Sequence, residues 1–502
     1  MDLIHTKRLA AEFYGTMMFT LIITLAVTIA PQGGAPFAIG LGLTVLIYMT
    51  GPVSGGQLNP AVTAGLMIRG KLNLFEGFSC MAVQLTAGLC GGLLGFLLLG
   101  GEQWSNTGYP LVENTSRRFP AFIGELIQTF ALVTAVLGTA TSKANDNRGV
   151  HGLAIGFVVL AGAITLGGVD GGCFNPAVAM LTALHGDWAD MPVYIFGPFI
   201  GGCLAAMVFH VTNPGEFDTG NSVLSVLGLS NKPATHEYTR RAAAYSMEFI
   251  GTFFLVWTVS LNVNASQASN GVWAIGAMLM SMVYTGGHVS GAHFNPCVTL
   301  GVCLRGMCLS KPLISTVDAG VYMAVQVLAA LCAAGLASYV NDGTANIADP
   351  GLGSGYTMFA AFIAEMLFSS MLVTAVLSTT ASELHPPTGN PFFGITIGWT
   401  VLAAAMTVGG LSGGAFNPAI GIALPLVTGR NTNMIGIYVV ADFLGAVLGA
   451  AQVQFWVSGP EATSNPNPNP TSESNSNSVD IDRSTDSDGI SIALAVESSS
   501  SA

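Results

Sequence analysis

The stretch "GGCFNPAVAM", residues 171–180, sets an Asn-Pro pair (Asn175, Pro176) between two glycines and an apolar run. Asn is a favoured helix N-cap, and Pro suits the first helical position because the N–H it lacks has no partner there. About ten apolar residues follow, half of the roughly 20 that a membrane span needs. The pair therefore starts a helix that enters a membrane without crossing it. Irregular backbone ahead of such a helix is tolerated at that depth only where protein buries it or where it lines a water-filled path.

Three further copies of the same signature follow the same spacing. "GGQLNPAVT", "GGCFNPAVA", "GAHFNPCVT" and "GGAFNPAIG" place their asparagines at 59, 175, 295 and 417, separated by 116, 120 and 122 residues. Each trails a glutamate set in apolar sequence: Glu12 by 47 residues, Glu125 by 50, Glu248 by 47 and Glu365 by 52. "AEFYGT" at 11–16 returns as "MEFIGT" at 247–252, and "FIGELIQTFALVTAV" at 122–136 as "FIAEMLFSSMLVTAV" at 362–376. The chain is thus a quarter-length unit repeated four times.

Composition agrees. Hydrophobic residues make up 51% of 502 and charged residues 8%, with a mean hydropathy of +0.61, which excludes a water-soluble globular chain. Apolar runs of spanning length begin near residues 9, 37, 75, 118, 150 and 189, and again near 242, 271, 316, 356, 390 and 433. Twelve spans are expected, and the first reads as a retained span, since no small-residue cleavage site follows a short apolar core. The reading divides the chain into a first domain (1–212), a linker (213–240) whose "VLSVLGL" can lie on the membrane surface, a second domain (241–458) and a tail (459–502). The tail is Ser/Asn/Pro-rich and holds seven acids against one base, so half of the net charge of −12 lies there; it is read as disordered.

Three spans per unit invert each unit relative to the one before, the arrangement of many pores and transporters. With both termini cytoplasmic, twelve of the fifteen Lys and Arg residues fall inside; only Arg117, Arg118 and Arg430 fall outside. The two Asn-x-Ser/Thr sites, at Asn114 and Asn264, then lie outside as well. The eight cysteines form no Cys-x-x-Cys pair and stand at no metal spacing, so neither zinc nor any other cofactor is expected. No phosphate loop or nucleophile elbow supports enzyme chemistry, and no nucleic-acid partner is expected.

These residues resemble the aquaporin, or major intrinsic protein, family over nearly residues 5–458, as two family domains in tandem. The resemblance implies an all-α polytopic fold, two aquaporin-like domains each of six transmembrane helices plus two re-entrant half-helices in inverted repeat. It implies that Asn59-Pro60-Ala61 meets Asn175-Pro176-Ala177 in one pore and Asn295-Pro296-Cys297 meets Asn417-Pro418-Ala419 in another, with Gln84 and Gln326 in the third spans. The glutamates Glu12, Glu125, Glu248 and Glu365 would hold the re-entrant loops by accepting backbone N–H groups. Family members assemble as four pores, so a homodimer of this chain in the lipid bilayer would give a four-pore ring.

The chain departs from the family where the second box of each half should continue into arginine. Val178 and Ile420 stand there instead. The remaining filter positions carried over from the family are Ile39, Ala163 and Gly172 in the first pore and Ile275, Ala405 and Gly414 in the second. Some plant vacuolar aquaporins are similar in placing valine at the arginine position. Loss of a cationic donor widens a constriction and removes a cation barrier, so a passive channel for water and small neutral solutes (urea, glycerol, ammonia, hydrogen peroxide) is expected, in the plasma or the vacuolar membrane. Competing readings are a water-selective channel, a poorly conducting structural membrane protein and a secondary transporter. Four more residues stand out: Asp442, where the first half has Pro198; His288 and His293 on the loop before the third box; and Cys173 beside the second.

Overall fold

The computed structural model describes residues 3–458 apart from 106–107, 113, 146–148, 215, 217–236, 265–267, 310–311, 381–383 and 385–389. The tail, the linker stretch "VLSVLGL" and the basic residues Arg148, Lys232, Lys311 and Arg483 lie outside the described residues.

The first half runs α1 (Leu3–Ile29), α2 (Ala35–Ser54), α3 (Pro60–Arg69), α4 (Leu74–Ser105), α5 (Arg118–Val136), α6 (His151–Asp170), α7 (Met180–Leu184) and α8 (Met191–Thr212). The second runs α9 (Glu237–Ser260), α10 (Ala268–Ser290), α11 (Pro296–Met307), α12 (Thr316–Val340), α13 (Met358–Thr380), α14 (Phe393–Ser412), α15 (Pro418–Thr428) and α16 (Ile435–Val457). No strand occurs among the described residues. Twelve of these helices are long and apolar enough to cross a membrane, and α11 and α15 are shorter apolar helices. The spans sit where the hydropathy puts them because lipid leaves backbone polar groups no partner outside a helix.

Three of the four Asn-Pro pairs start a regular half-helix, and the second does so less cleanly. Residues 176–179 form turns, and α7 holds only five residues. Backbone bonds there alternate between acceptors three and four residues back: Val178 N to Asn175 O at 2.9 Å, Ala179 N to Asn175 O at 3.1 Å. Gly186, in the left-handed region at φ 84°, then ends the segment. Small residues let the half-helices approach the spans closely. A Cβ on Gly88 of α4 would lie 2.1 Å from the Ala177 carbonyl oxygen, and one on Gly202 of α8 would lie 2.6 Å from that of Ala61.

The halves meet through different faces. α6 of the first packs along α10 of the second, where Ser281 Oγ donates to the Ala154 carbonyl at 2.9 Å. Phe130 of α5 lies against Phe254 of α9, with ring centroids 5.7 Å apart. His288, expected on a loop, is in the last turn of α10, because that helix continues to Ser290. It reaches the first half: its Nε2 is 2.8 Å from Asn213 Oδ1 and 3.2 Å from Ser142 Oγ. Arg69 and Glu216 pair at 3.2 Å beside it, with Ser142 donating to Glu216 at 2.7 Å.

Candidate functional site

Each half brings its two Asn-Pro loops together by a reciprocal exchange. Asn59 Nδ2 donates to the Phe174 carbonyl and Asn175 Nδ2 to the Leu58 carbonyl, both at 2.9 Å. In the second half Asn295 donates to Phe416 at 2.8 Å and Asn417 to Phe294 at 3.0 Å. Each asparagine also caps its own helix: the side-chain oxygens of Asn59, Asn175, Asn295 and Asn417 accept from Ala61, Ala177, Cys297 and Ala419 N–H at 2.8–3.0 Å. An amide has two N–H groups, so one on each asparagine is left after the exchange.

The exchange depends on a strained backbone. The residues before the asparagines, Leu58, Phe174, Phe294 and Phe416, all lie in the left-handed region, with φ between 44° and 53°, which side-chain-bearing residues adopt only when the surroundings hold them there. The four glutamates do so. Glu12 accepts from Gln57 and Leu58 N–H at 3.0 and 2.8 Å, and Glu125 from Cys173 and Phe174, both at 2.7 Å. Glu248 accepts from His293 and Phe294 at 2.9 and 2.7 Å, and Glu365 from Ala415 and Phe416 at 3.1 and 2.8 Å. All four are fully buried. Gln84 and Gln326 add an amide to Glu12 and Glu248 at 2.8 and 2.9 Å.

Sequence reasoning missed a further partner of three of these glutamates. Ser54, Ser290 and Ser412 donate their hydroxyls to Glu12, Glu248 and Glu365 at 2.6, 2.6 and 2.5 Å. Each is the residue before the first glycine of its loop, so a fourfold alignment finds them. Asp170 occupies that place in the second unit. Its Oδ1 accepts from Gly172 N–H at 2.9 Å, while its Oδ2 is buried without a hydrogen-bond partner. Asp442, also fully buried, accepts from Ser369 Oγ at 2.8 Å. That serine belongs to the same half as Asp442.

The filter residues fall in two cavities. Ile39, Ala163, Gly172 and Val178 line an outer cavity of about 260 Å³ in the first half. Ile275, Ala405, Gly414 and Ile420 line one of about 610 Å³ in the second, which continues to Asn295 and Asn417. Their filter side chains are all apolar, and among the described residues no arginine lines either cavity. Tyr109 borders the first outer cavity and donates to Asp187. Burial, then that carboxylate, pushes the Tyr109 hydroxyl up to about 12. Asp349 borders the second, pairs with Arg430 at 3.5 Å, and is pushed above the usual carboxylate range by burial. His293 also lines the second lumen, its Nδ1 3.1 Å from Thr299 Oγ1. Cys173 lines the first lumen, and Cys297 is buried with its Sγ 3.7 Å from the Phe416 carbonyl oxygen.

Comparison with known proteins finds one family in both halves of the chain. The family model described as "Major intrinsic protein" matches residues 2–209 and 234–451, with a further overlapping match at 391–482. The chain is 33% identical over 217 residues to Aquaporin TIP1-2 of Musa acuminata, covering 40% of this chain and 85% of that protein. It is 33% identical over 202 residues to Nodulin-26 of Glycine max, covering 39% and 71%. Among solved structures it is similar to the aquaglyceroporin from Plasmodium falciparum, at 18% identity and a TM-score of 0.38, covering 44% of this chain and 96% of that one. Two family matches in succession, each carrying both Asn-Pro loops and both loop-holding glutamates, mean that the chain belongs to the major intrinsic protein family as two domains in tandem, and is a passive multi-pass membrane channel for water and small solutes, not an enzyme.

Proposed function

We propose that each half forms its own pore, with Asn59 and Asn175 at the centre of one and Asn295 and Asn417 at the centre of the other. The chain passes water together with small neutral solutes such as urea, glycerol, ammonia and hydrogen peroxide. The observation that carries the solute range is the apolar set of filter side chains: Val178 and Ile420 stand where a cationic donor would narrow the path, and their neighbours Gly172 and Gly414 carry no side chain. A channel lined this way discriminates by diameter and by the few remaining donors, and leaves cation exclusion to the half-helix dipoles and asparagine amides.

Both termini face the cytoplasm in this reading, and the membrane is the plasma or the vacuolar one. Two chains close a four-pore ring. The contact between halves is heterologous, α5 and α6 of the first meeting α9 and α10 of the second, and a heterologous contact repeated around an axis makes a ring. The unused faces fit. Leu41, Val45 and Met49 of α2 are exposed, while Ala277, Ser281 and Thr285, at the same places on α10, are buried. Trp399 of α14 is likewise exposed where Phe157 of α6 is buried. A second copy would cover both. Stopped-flow light scattering of proteoliposomes tests the reading: water efflux in sucrose and re-swelling in urea or glycerol are expected, and flux equal to empty liposomes for every solute would overturn it.

A further inference from the structure

We infer that the two pores of the chain are unequal, the first passing water but restricting larger neutral solutes at a partition made by Phe19 and Cys173, and the second serving as the solute path. The inference rests on the channel reading above and assigns its solutes to one of the two pores.

The lumen of the first half is interrupted. Its outer cavity of about 260 Å³ stops short of the asparagines, and the cavity beyond, which touches Asn59 and Asn175, holds only about 40 Å³. In the second half the outer cavity of about 610 Å³ runs without a break from Ile420 to both asparagines, and an inner cavity of about 620 Å³ follows. The filter positions do not account for this. Ile39, Ala163 and Gly172 have the same residue types as Ile275, Ala405 and Gly414, and Val178 is smaller than Ile420. By the filter alone the first pore would be at least as wide.

The residues that line both cavities of the first half form the wall between them, and they are three: Phe19, Val159 and Cys173. Their places in the second half follow from spacing. Phe19 stands seven residues after Glu12, as Leu255 does after Glu248; Val159 stands sixteen before Asn175, as Val401 does before Asn417; Cys173 and Ala415 each stand two before their asparagine. Leu255, Val401 and Ala415 all line the single outer cavity of the second half. The valine is common to both, so the partition comes from the phenyl ring in place of an isobutyl group and the thiol in place of a methyl group. The thiol is fixed, since Cys173 Sγ donates to the Asn175 carbonyl at 3.2 Å. Both side chains are buried, so neither swings clear into solvent.

In the second half the boundary between cavities lies further from the filter, at His293, Val376 and Ile397. There the imidazole offers a hydrogen-bonding edge to a hydroxylated solute, with Thr299 beside its Nδ1. The first partition offers an aromatic ring and a thiol already engaged with backbone. A polyol that loses its hydration at such a ring gains nothing in exchange.

Reciprocal swaps in the full chain, reconstituted in proteoliposomes, test this. Phe19→Leu with Cys173→Ala is expected to raise glycerol permeability about twofold, as when a second pore joins the first, with water changed little. Leu255→Phe with Ala415→Cys is expected to bring glycerol close to the empty-liposome rate while water flux persists. An unchanged glycerol-to-water ratio in both swaps, each eluting as wild type on size exclusion, would overturn the inference. So would a fall in glycerol flux in the first swap. Wild-type liposomes that pass neither water nor glycerol would instead overturn the channel reading itself, and the two failures are separable in one set of traces.

Discussion

Glu125 holds Phe174: its Oε2 accepts the Phe174 backbone N–H at 2.7 Å, and Phe174 lies in the left-handed region at φ 53°. The carbonyl on the other side of that residue then receives Asn59. One carboxylate thus keeps a strained loop residue oriented so that its oxygen faces the opposite loop.

Glu125→Gln tests that link. A glutamine can accept only one of the two N–H groups that Glu125 takes, and its own amide would face the other, donor to donor. The expected loss is about 1–3 kcal/mol, read as a fall of at least about 2 °C in the thermal midpoint in detergent. An unchanged midpoint would mean that the loop holds its shape without the carboxylate.

Asp170→Ser should act in the opposite direction. It restores the hydroxyl that Ser54, Ser290 and Ser412 give their glutamates and removes a buried carboxyl oxygen that has no hydrogen-bond partner. A rise of about 2 °C or more in the thermal midpoint is expected. A fall would show that the second carboxyl contributes something its geometry does not reveal.

Val178→Arg together with Ile420→Arg places a cationic donor in both outer cavities. Glycerol and urea uptake should drop about tenfold while water flux falls much less, since water fits beside a guanidinium and the larger solutes do not. Solute uptake equal to wild type would contradict the wide apolar filter.

Thiol chemistry distinguishes the pores. Cys173 lines the first lumen, whereas its counterpart Ala415 has no thiol and Cys297 is fully buried. A mercurial should lower water flux by about half, the share of one pore in two, and leave glycerol flux near its starting value. Cys173→Ser should abolish the response and Cys297→Ser should not; the reverse pattern would place the reactive thiol in the second half.

The twelve spans and the four Asn-Pro loops were legible in the sequence because lipid allows so few backbone solutions: a long apolar run must be a helix, and an interrupted one must be capped, as Asn59, Asn175, Asn295 and Asn417 do. What was not legible depends on distances between units. Ser54 looks like any helix-terminal serine until the fold brings it to Glu12. His288 looks like a loop residue until α10 is seen to continue past it into contact with Asn213 and Ser142. The five-residue α7 carries the same Asn-Pro-Ala start as α3, so local propensity cannot tell them apart. Phe19 reads as one more apolar residue of the first span, and only the cavity around it gives it a role.

Stopped-flow light scattering of proteoliposomes holding the wild-type chain tests the central claim most directly. Fast shrinkage in sucrose followed by fast re-swelling in urea and glycerol is the predicted result. Fast shrinkage with solute entry no faster than in empty liposomes would make the channel water-selective despite Val178 and Ile420, and would contradict the account of its apolar filter.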